Sequence, residues 1–136
     1  MAIVAIQFIP VQRSNPPIPG DLVAPAPVKN TLRAACYDCH SNRTRWPWYG
    51  ALAPASWLVV HEVSEGRRRL NFSDWISYTA DPATASHKLE EIAEFVSSGK
   101  MAPWYYTILH PEARLSPAQR RMIASWARRE AGRIAN

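Results

Sequence analysis

The sequence predicts an all-α domain preceded by an extended, proline-rich N-terminal arm. Three observations predict it. No run alternates apolar and polar residues cleanly enough for a strand. Two helix starts are written in local cap chemistry, Asp81-Pro82 and Ser116-Pro117. Six of the twelve prolines fall within residues 10–28, a density that blocks helix and favours extended chain laid along a surface. At 136 residues, 47% apolar and 20% charged, the chain has the composition of a globular protein and room for one ordinary core. The expected division is an arm over residues 1–28 and a helical domain over 29–136.

Met1 to Ile9 is apolar except for Gln7. It is too short to span a bilayer, which needs about 20 residues, and it lacks the basic residues that precede the apolar run of a secretory signal. It fits either a short buried strand or arm, or the trailing end of a longer anchor. Pro10, Pro16, Pro17, Pro19, Pro25 and Pro27 make the arm. Asn30 or Thr31 is expected to cap a first helix running up to Cys36. A second fits residues 54–66, with Trp57, Val60, His61 and Ser64 on one face. Ser73 is expected to cap a short turn holding Trp75 and Ile76. Asp81-Pro82 opens a helix carrying Leu89, Ile92, Ala93 and Val96 at helical spacing and ending near Gly99. Ser116-Pro117 opens the last, with Gln119 completing a capping box. That helix runs to about Ile134, with Ile123, Trp126, Ala127 and Ile134 on one stripe.

The charge excess points to no particular partner. The net charge of +5 comes from 16 basic and 11 acidic residues. The basic residues are scattered, and the one tight run, Arg67-Arg68-Arg69, has Glu62 and Glu65 beside it. It reads as the solvated end of a helix, and no recognised nucleic-acid module accompanies it. No nucleophile–base constellation or phosphate loop is visible, so neither hydrolysis nor phosphoryl transfer is expected, and no catalytic residue is assigned.

The chemistry lies in one pentapeptide. Both cysteines fall in Cys36-Tyr37-Asp38-Cys39-His40, the C-x-x-C-H pattern of covalent c-type haem attachment. Positions three apart on a helix end lie on one side, so both thiols can reach the two vinyl groups of one porphyrin. His40 is then delivered beneath the ring as the proximal iron ligand. Two cysteines placed at random take this spacing about once in 70, and one of four His follows about once in 33, together about one in two thousand. The competing readings fit less well. A thioredoxin-like pair wants a preceding strand and a βαβ setting. A zinc site needs two further ligands from His61, His87 or His110, and none has paired spacing. A disulfide across the short loop leaves His40 unexplained.

A second axial ligand is sought among Met101, Met122, His61, His87 and His110. Met122 lies mid-helix, where Met usually fills core. Met101 follows Gly99-Lys100 at a helix end and precedes Ala102-Pro103, so it sits on a stiff loop that can carry a thioether over the open iron face. A thioether ligand raises the reduction potential relative to a second imidazole. Met101 is therefore the expected distal ligand, with His61 its main rival because it shares a helix face with Trp57. His110, before Pro111, is expected to be a loop residue bonding backbone or a haem propionate, and His87 to face solvent. Trp46, Trp48, Trp57, Trp104, Tyr105 and Tyr106 are candidate pocket walls.

Over residues 30–130 the sequence resembles the single-haem, c-type haem-binding domain proteins of bacteria, related to cytochrome c. The resemblance rests on Cys36-Tyr37-Asp38-Cys39-His40-Ser41-Asn42, Thr44-Arg45-Trp46-Pro47-Trp48-Tyr49 and Asn71-Phe72-Ser73-Asp74-Trp75. It continues in Gly99-Lys100-Met101-Ala102-Pro103-Trp104-Tyr105-Tyr106 and in His110-Pro111-Glu112-Ala113-Arg114-Leu115-Ser116. It implies a small cytochrome c-like helical domain around one haem on Cys36 and Cys39, with His40 and Met101 on the iron. The family's segment after the Met is usually Met-Pro-Pro, and here Ala102 replaces the first proline. Members often carry an N-terminal membrane anchor, and residues 1–11 look like the end of one.

Haem is joined to C-x-x-C-H outside the bacterial cytoplasm, so a periplasmic or otherwise extracytoplasmic location is expected. Residues 1–28 supply no full export signal, and an upstream start codon or a processed precursor is the expected source of one. The expected function is one-electron transfer, with a redox protein or a membrane electron-transfer complex as partner and no nucleic acid. A haem-based ligand sensor, or a haem-bearing structural subunit reaching across a partner with its arm, are the alternatives.

Overall fold

The computed structural model describes residues 2–136. The helices are α1 (Ala2–Ala5), α2 (Ala26–Ala35), α3 (Tyr37–His40), α4 (Ala55–Arg69), α5 (Trp75–Thr79), α6 (Pro82–Ser97), α7 (Trp104–Leu109) and α8 (Pro117–Ala135). Three 3₁₀ turns, Ile6–Phe8, Trp48–Ala51 and Pro111–Ala113, punctuate the connections. Among the described residues there is no strand; one isolated parallel bridge joins Gly20 to Asp74. The all-α expectation holds. No helix of the described residues is long and apolar enough to cross a membrane.

The scaffold is the α6–α8 pair, whose packing is the most extensive in the molecule. Both helices start where cap chemistry places them. Asp81 accepts from the backbone N–H of Ala83 and Thr84, and Ser116 and Gln119 form a reciprocal capping box. These caps satisfy amide donors that have no partner within a helix. Ala85, Leu89, Ile92, Ala93 and Val96 on α6 face Ile123, Ala124, Ala127 and Ala131 on α8. Alanines on both sides let the axes approach, and Ser86 Oγ donates to Ala131 O across the seam at 3.1 Å. Leu32 of α2, Leu89 and Ile123 are fully buried, each contributing about 1.5–3 kcal/mol of apolar burial.

Three elements differ from expectation. α2 begins at Ala26, four or five residues before Asn30 and Thr31, with Pro27 in its first turn. Proline blocks a helix interior but suits a first turn, where its missing N–H would be unpaired anyway. α5 is preceded by Asp74 rather than capped by Ser73; Ser73 is fully buried, and its Oγ accepts from Asn42 N at 2.9 Å. The first described residues, read as a short buried strand or arm or as the trailing end of an anchor, form α1 and a 3₁₀ turn, with no buried residue over Ala2–Phe8.

The proline-rich segment is stitched to the domain rather than free. Gly20 N and Leu22 N donate to Ser73 O and Phe72 O at 3.1 and 2.8 Å, and Trp75 N donates back to Gly20 O at 2.8 Å. A side chain at Gly20 would meet Ile76 Cβ at 2.8 Å, so only glycine permits that approach. Leu22 and Val28 belong to the core. Further out, Asn15 Nδ2 donates to Thr44 O at 2.9 Å and Asn42 Nδ2 to Pro17 O at 2.7 Å. Arg67 of α4 reaches Ser14 O, Asn15 Oδ1, Ser41 O and Thr44 Oγ1, all within 3.0 Å. The arm is thus bound to the domain along much of its length.

Candidate functional site

α3 presents the pentapeptide to a cavity of about 670 Å³ walled by α4, α6 and the segment Met101–Tyr106, a size within the ~300–1,000 Å³ span of cofactor sites. Cys36, Cys39 and His40 line one side. Leu70, Phe72, Ile92, Phe95 and Val96 supply apolar wall, and Glu62, Glu65, Arg68, Arg69, Lys88 and Glu91 add charge.

His40 is oriented by the end of α4. Its Nδ1 lies 3.0 Å from Gly66 O and 3.1 Å from Leu70 O. Both partners are carbonyl acceptors, so Nδ1 carries the proton and Nε2 keeps its lone pair. Gly66 lies in the last turn of α4, and its carbonyl, which also accepts from the C-cap Leu70 N–H at 2.9 Å, is shared with the ring. Its missing side chain matters: a Cβ there would stand 2.4 Å from Cys39 O. Burial holds the imidazole pKa below its usual value, which keeps the ring neutral near pH 7. Phe72 locks the same corner. It is 1% exposed and stacks on Tyr37 with ring centroids 5.1 Å apart. Its N–H donates to His40 O at 2.7 Å.

Both cysteines are free thiols. Burial pushes the Cys36 pKa up to about 12 and that of Cys39 to about 11. Reactive thiol pairs sit where the thiol pKa is lowered, and burial here acts in the opposite direction. Nor does a zinc ligand set assemble: among the described residues no three His, Cys, Asp or Glu side chains gather to hold a metal ion.

Asp38, between the cysteines, is buried and accepts four hydrogen bonds. Arg45 gives its backbone N–H, Nε and Nη2 at 2.9, 3.2 and 2.9 Å. Tyr106 Oη gives the fourth at 3.0 Å. Burial and then the Asp38 charge raise the Tyr106 pKa, keeping its hydroxyl protonated as the donor. Asp38 therefore ties the pentapeptide helix to α7, the element that follows Met101.

Met101 and His61 both line the same cavity; Met122, His87 and His110 do not. Met122 packs against the core. His87 is exposed beside Glu91, 3.6 Å away, as expected. His110 bonds side chains rather than backbone: Tyr49 Oη donates to its Nε2 at 2.8 Å, and its Nδ1 donates to Glu112 at 3.2 Å. Tyr106 stacks on its ring, centroids 4.1 Å apart.

Two expectations need correction. Of the six aromatic residues taken as pocket walls, only Tyr105 and Tyr106 line the cavity. Trp48 and Trp104 are 79% and 72% exposed, and the phenylalanines Phe72 and Phe95 serve as walls instead. On α4 the buried residues are Ser56, Val63 and Gly66, while Trp57, His61 and Ser64 are exposed. The inward stripe is small and partly polar, so hydrophobicity misplaced the face. The carbonyls of Gly66 and Leu70 were also missed, although an isolated glycine inside a helical run does signal close packing.

The residues present fit a haem: two thiols three apart, an imidazole nitrogen with a free lone pair, a thioether bordering the same cavity, and apolar walls. A family model described as a haem-binding domain matches residues 1–129. The chain belongs to that family. No curated protein and no solved structure matches it. In this haem-binding domain the match takes in the pentapeptide, the cavity walls, the Met101 segment and most of α8.

Proposed function

We propose that this haem-binding domain is a monohaem c-type cytochrome, a one-electron carrier or relay. Cys36 and Cys39 hold the haem covalently; His40 Nε2 and the Met101 thioether bind the iron. The observation that carries the proposal is the His40 ring, whose Nδ1 is held by Gly66 O and Leu70 O. A ring fixed at one nitrogen offers the other in one direction, with its basicity raised by the carbonyl partners. The haem supplies the one-electron iron couple when bound. The protein buries and orients it: Phe72, Ile92, Phe95 and Val96 exclude water from one part of the cavity, and the Asp38–Tyr106 bond holds the two ligand-bearing segments together. No side chain is assigned a catalytic step.

The thioether attachment chemistry implies a periplasmic or otherwise extracytoplasmic protein, with a redox protein or a membrane electron-transfer complex as partner. The exposed apolar residues Ile3, Val4, Phe8 and Ile9 support membrane association through the N-terminus. A second assignment, a ligand sensor with a displaceable sixth ligand, is favoured by His61 and Tyr105 lining the same cavity.

A pyridine haemochrome spectrum tests covalent attachment, and one c-type haem per chain is the expected result. The ferric protein is expected to show a near-infrared sulfur-to-iron charge-transfer band that disappears in Met101→Ala. A band absent from the wild type, with fast carbon monoxide binding to the ferrous protein, would overturn the carrier in favour of the sensor.

A further inference from the structure

Met101 lies on a thin partition. Met101, Ala102 and Pro103 border the haem cavity, and Ala102 and Pro103 also border a second, open hollow lined by Gly99, Lys100, Trp104 and Arg120. Met101 is only partly buried, while Ala102 packs against the core, so hydrogen bonds share in holding the segment.

Two such bonds hold Met101 itself. Its N–H donates to Phe95 O, 3.3 Å away at the end of α6. Its carbonyl accepts from Arg120 Nη1 at 3.0 Å, and the same nitrogen donates to Val96 O at 3.0 Å. Arg120 stands in the first turn of α8, where its own N–H donates to Ser116 O, the N-cap residue, at 2.9 Å. The guanidinium thus spans from the best-packed helix pair to the ligand's backbone. It also brings positive charge to the C-terminal end of α6, where the exposed carbonyls favour a cation.

We propose that Arg120 is the positioning residue for the distal ligand: it holds the Met101 main chain so that the thioether stays over the iron and resists displacement. This rests on Met101 being that ligand. Arg120 does not line the haem cavity; it acts through the Met101 carbonyl. Lysine is a partial substitute, since an ammonium keeps the charge but lacks the planar fork.

The test uses the haem-loaded full chain and reads the affinity of the ferric protein for added imidazole, together with the sulfur-to-iron band as pH is raised. Arg120→Gln is expected to bind imidazole about tenfold more tightly, the scale of a lost charged hydrogen bond, and to lose the band at lower pH than the wild type. Arg120→Lys should fall between the two. Arg128→Gln is the control, because Arg128 also reaches from α8 to the end of α6, donating to Ser97 Oγ at 3.3 Å, without bonding Met101. Wild-type behaviour is expected there. A normal band and imidazole affinity in Arg120→Gln would overturn the inference while leaving Met101 ligation intact. An equal shift in Arg128→Gln would overturn it too, as general loosening of α8. A wild-type protein with no band would remove Met101 ligation, and this inference with it.

Discussion

The two sides of the haem cavity are built differently. On the His40 side, the groups are buried or partly buried and tied more than once. His40 has two carbonyl partners, Phe72 joins the His40 carbonyl to the arm at Leu22, and Asp38 accepts four donors. On the Met101 side, a short partition is held by a few hydrogen bonds, and α7 buries no residue. The contrast fits the roles proposed for the two sides. A covalently attached ring would need a rigid seat, since two thioethers and one imidazole would have to meet it together. A thioether ligand would need only to be delivered, and a loop can do this with little packing.

The comparison can be broken by mutation. The largest effect is expected in Phe72→Ala, because a fully buried aromatic ring stacked on Tyr37 is removed. Chemical denaturation should show a loss of about 3–5 kcal/mol. Gly66→Ala comes next: the added methyl collides with Cys39 O, and overpacking of this kind costs about 1–3 kcal/mol. Its covalent haem yield should also fall, because α4 must withdraw from the attachment helix. Trp104→Ala should be the smallest, within about 0.5 kcal/mol of wild type despite removing an indole, since Trp104 is largely exposed. A Trp104→Ala loss as large as that of Phe72→Ala would end the distinction between a rigid seat and a lightly held partition.

The features legible in the sequence were those whose chemistry is local. Asp81-Pro82 and the Ser116–Gln119 capping box mark helix starts that depend on residues within one turn. The pentapeptide carries its own spacing. The start of α2 was missed for a local reason as well, since proline-rich sequence reads as extended chain although Pro27 fits a first turn. The remainder depends on partners far away in the chain. Tyr106 meets Asp38 across 68 residues, and Arg120 meets Met101 across 19. Neither residue differs in type from many exposed tyrosines and arginines, so only the fold reveals what it holds. The aromatic residues misled for a related reason: their type suits a pocket wall, yet Trp48 and Trp104 lie mainly in solvent.

The binding of the arm has a consequence for how the haem edge is presented. A carrier on a slack leash explores a volume set by its free contour, and it can turn any face toward a partner. Here Gln7 exchanges two hydrogen bonds with the Ala53 backbone, both at 3.0 Å, and the chain is fastened again at Ser14, Asn15, Pro17, Gly20 and Leu22. The ~50 Å that residues 7–22 could span if fully extended is therefore taken up on the domain's own surface and adds no reach. Anything bound by the residues before Gln7 would set the heading of the whole domain, as a bracket does rather than a string.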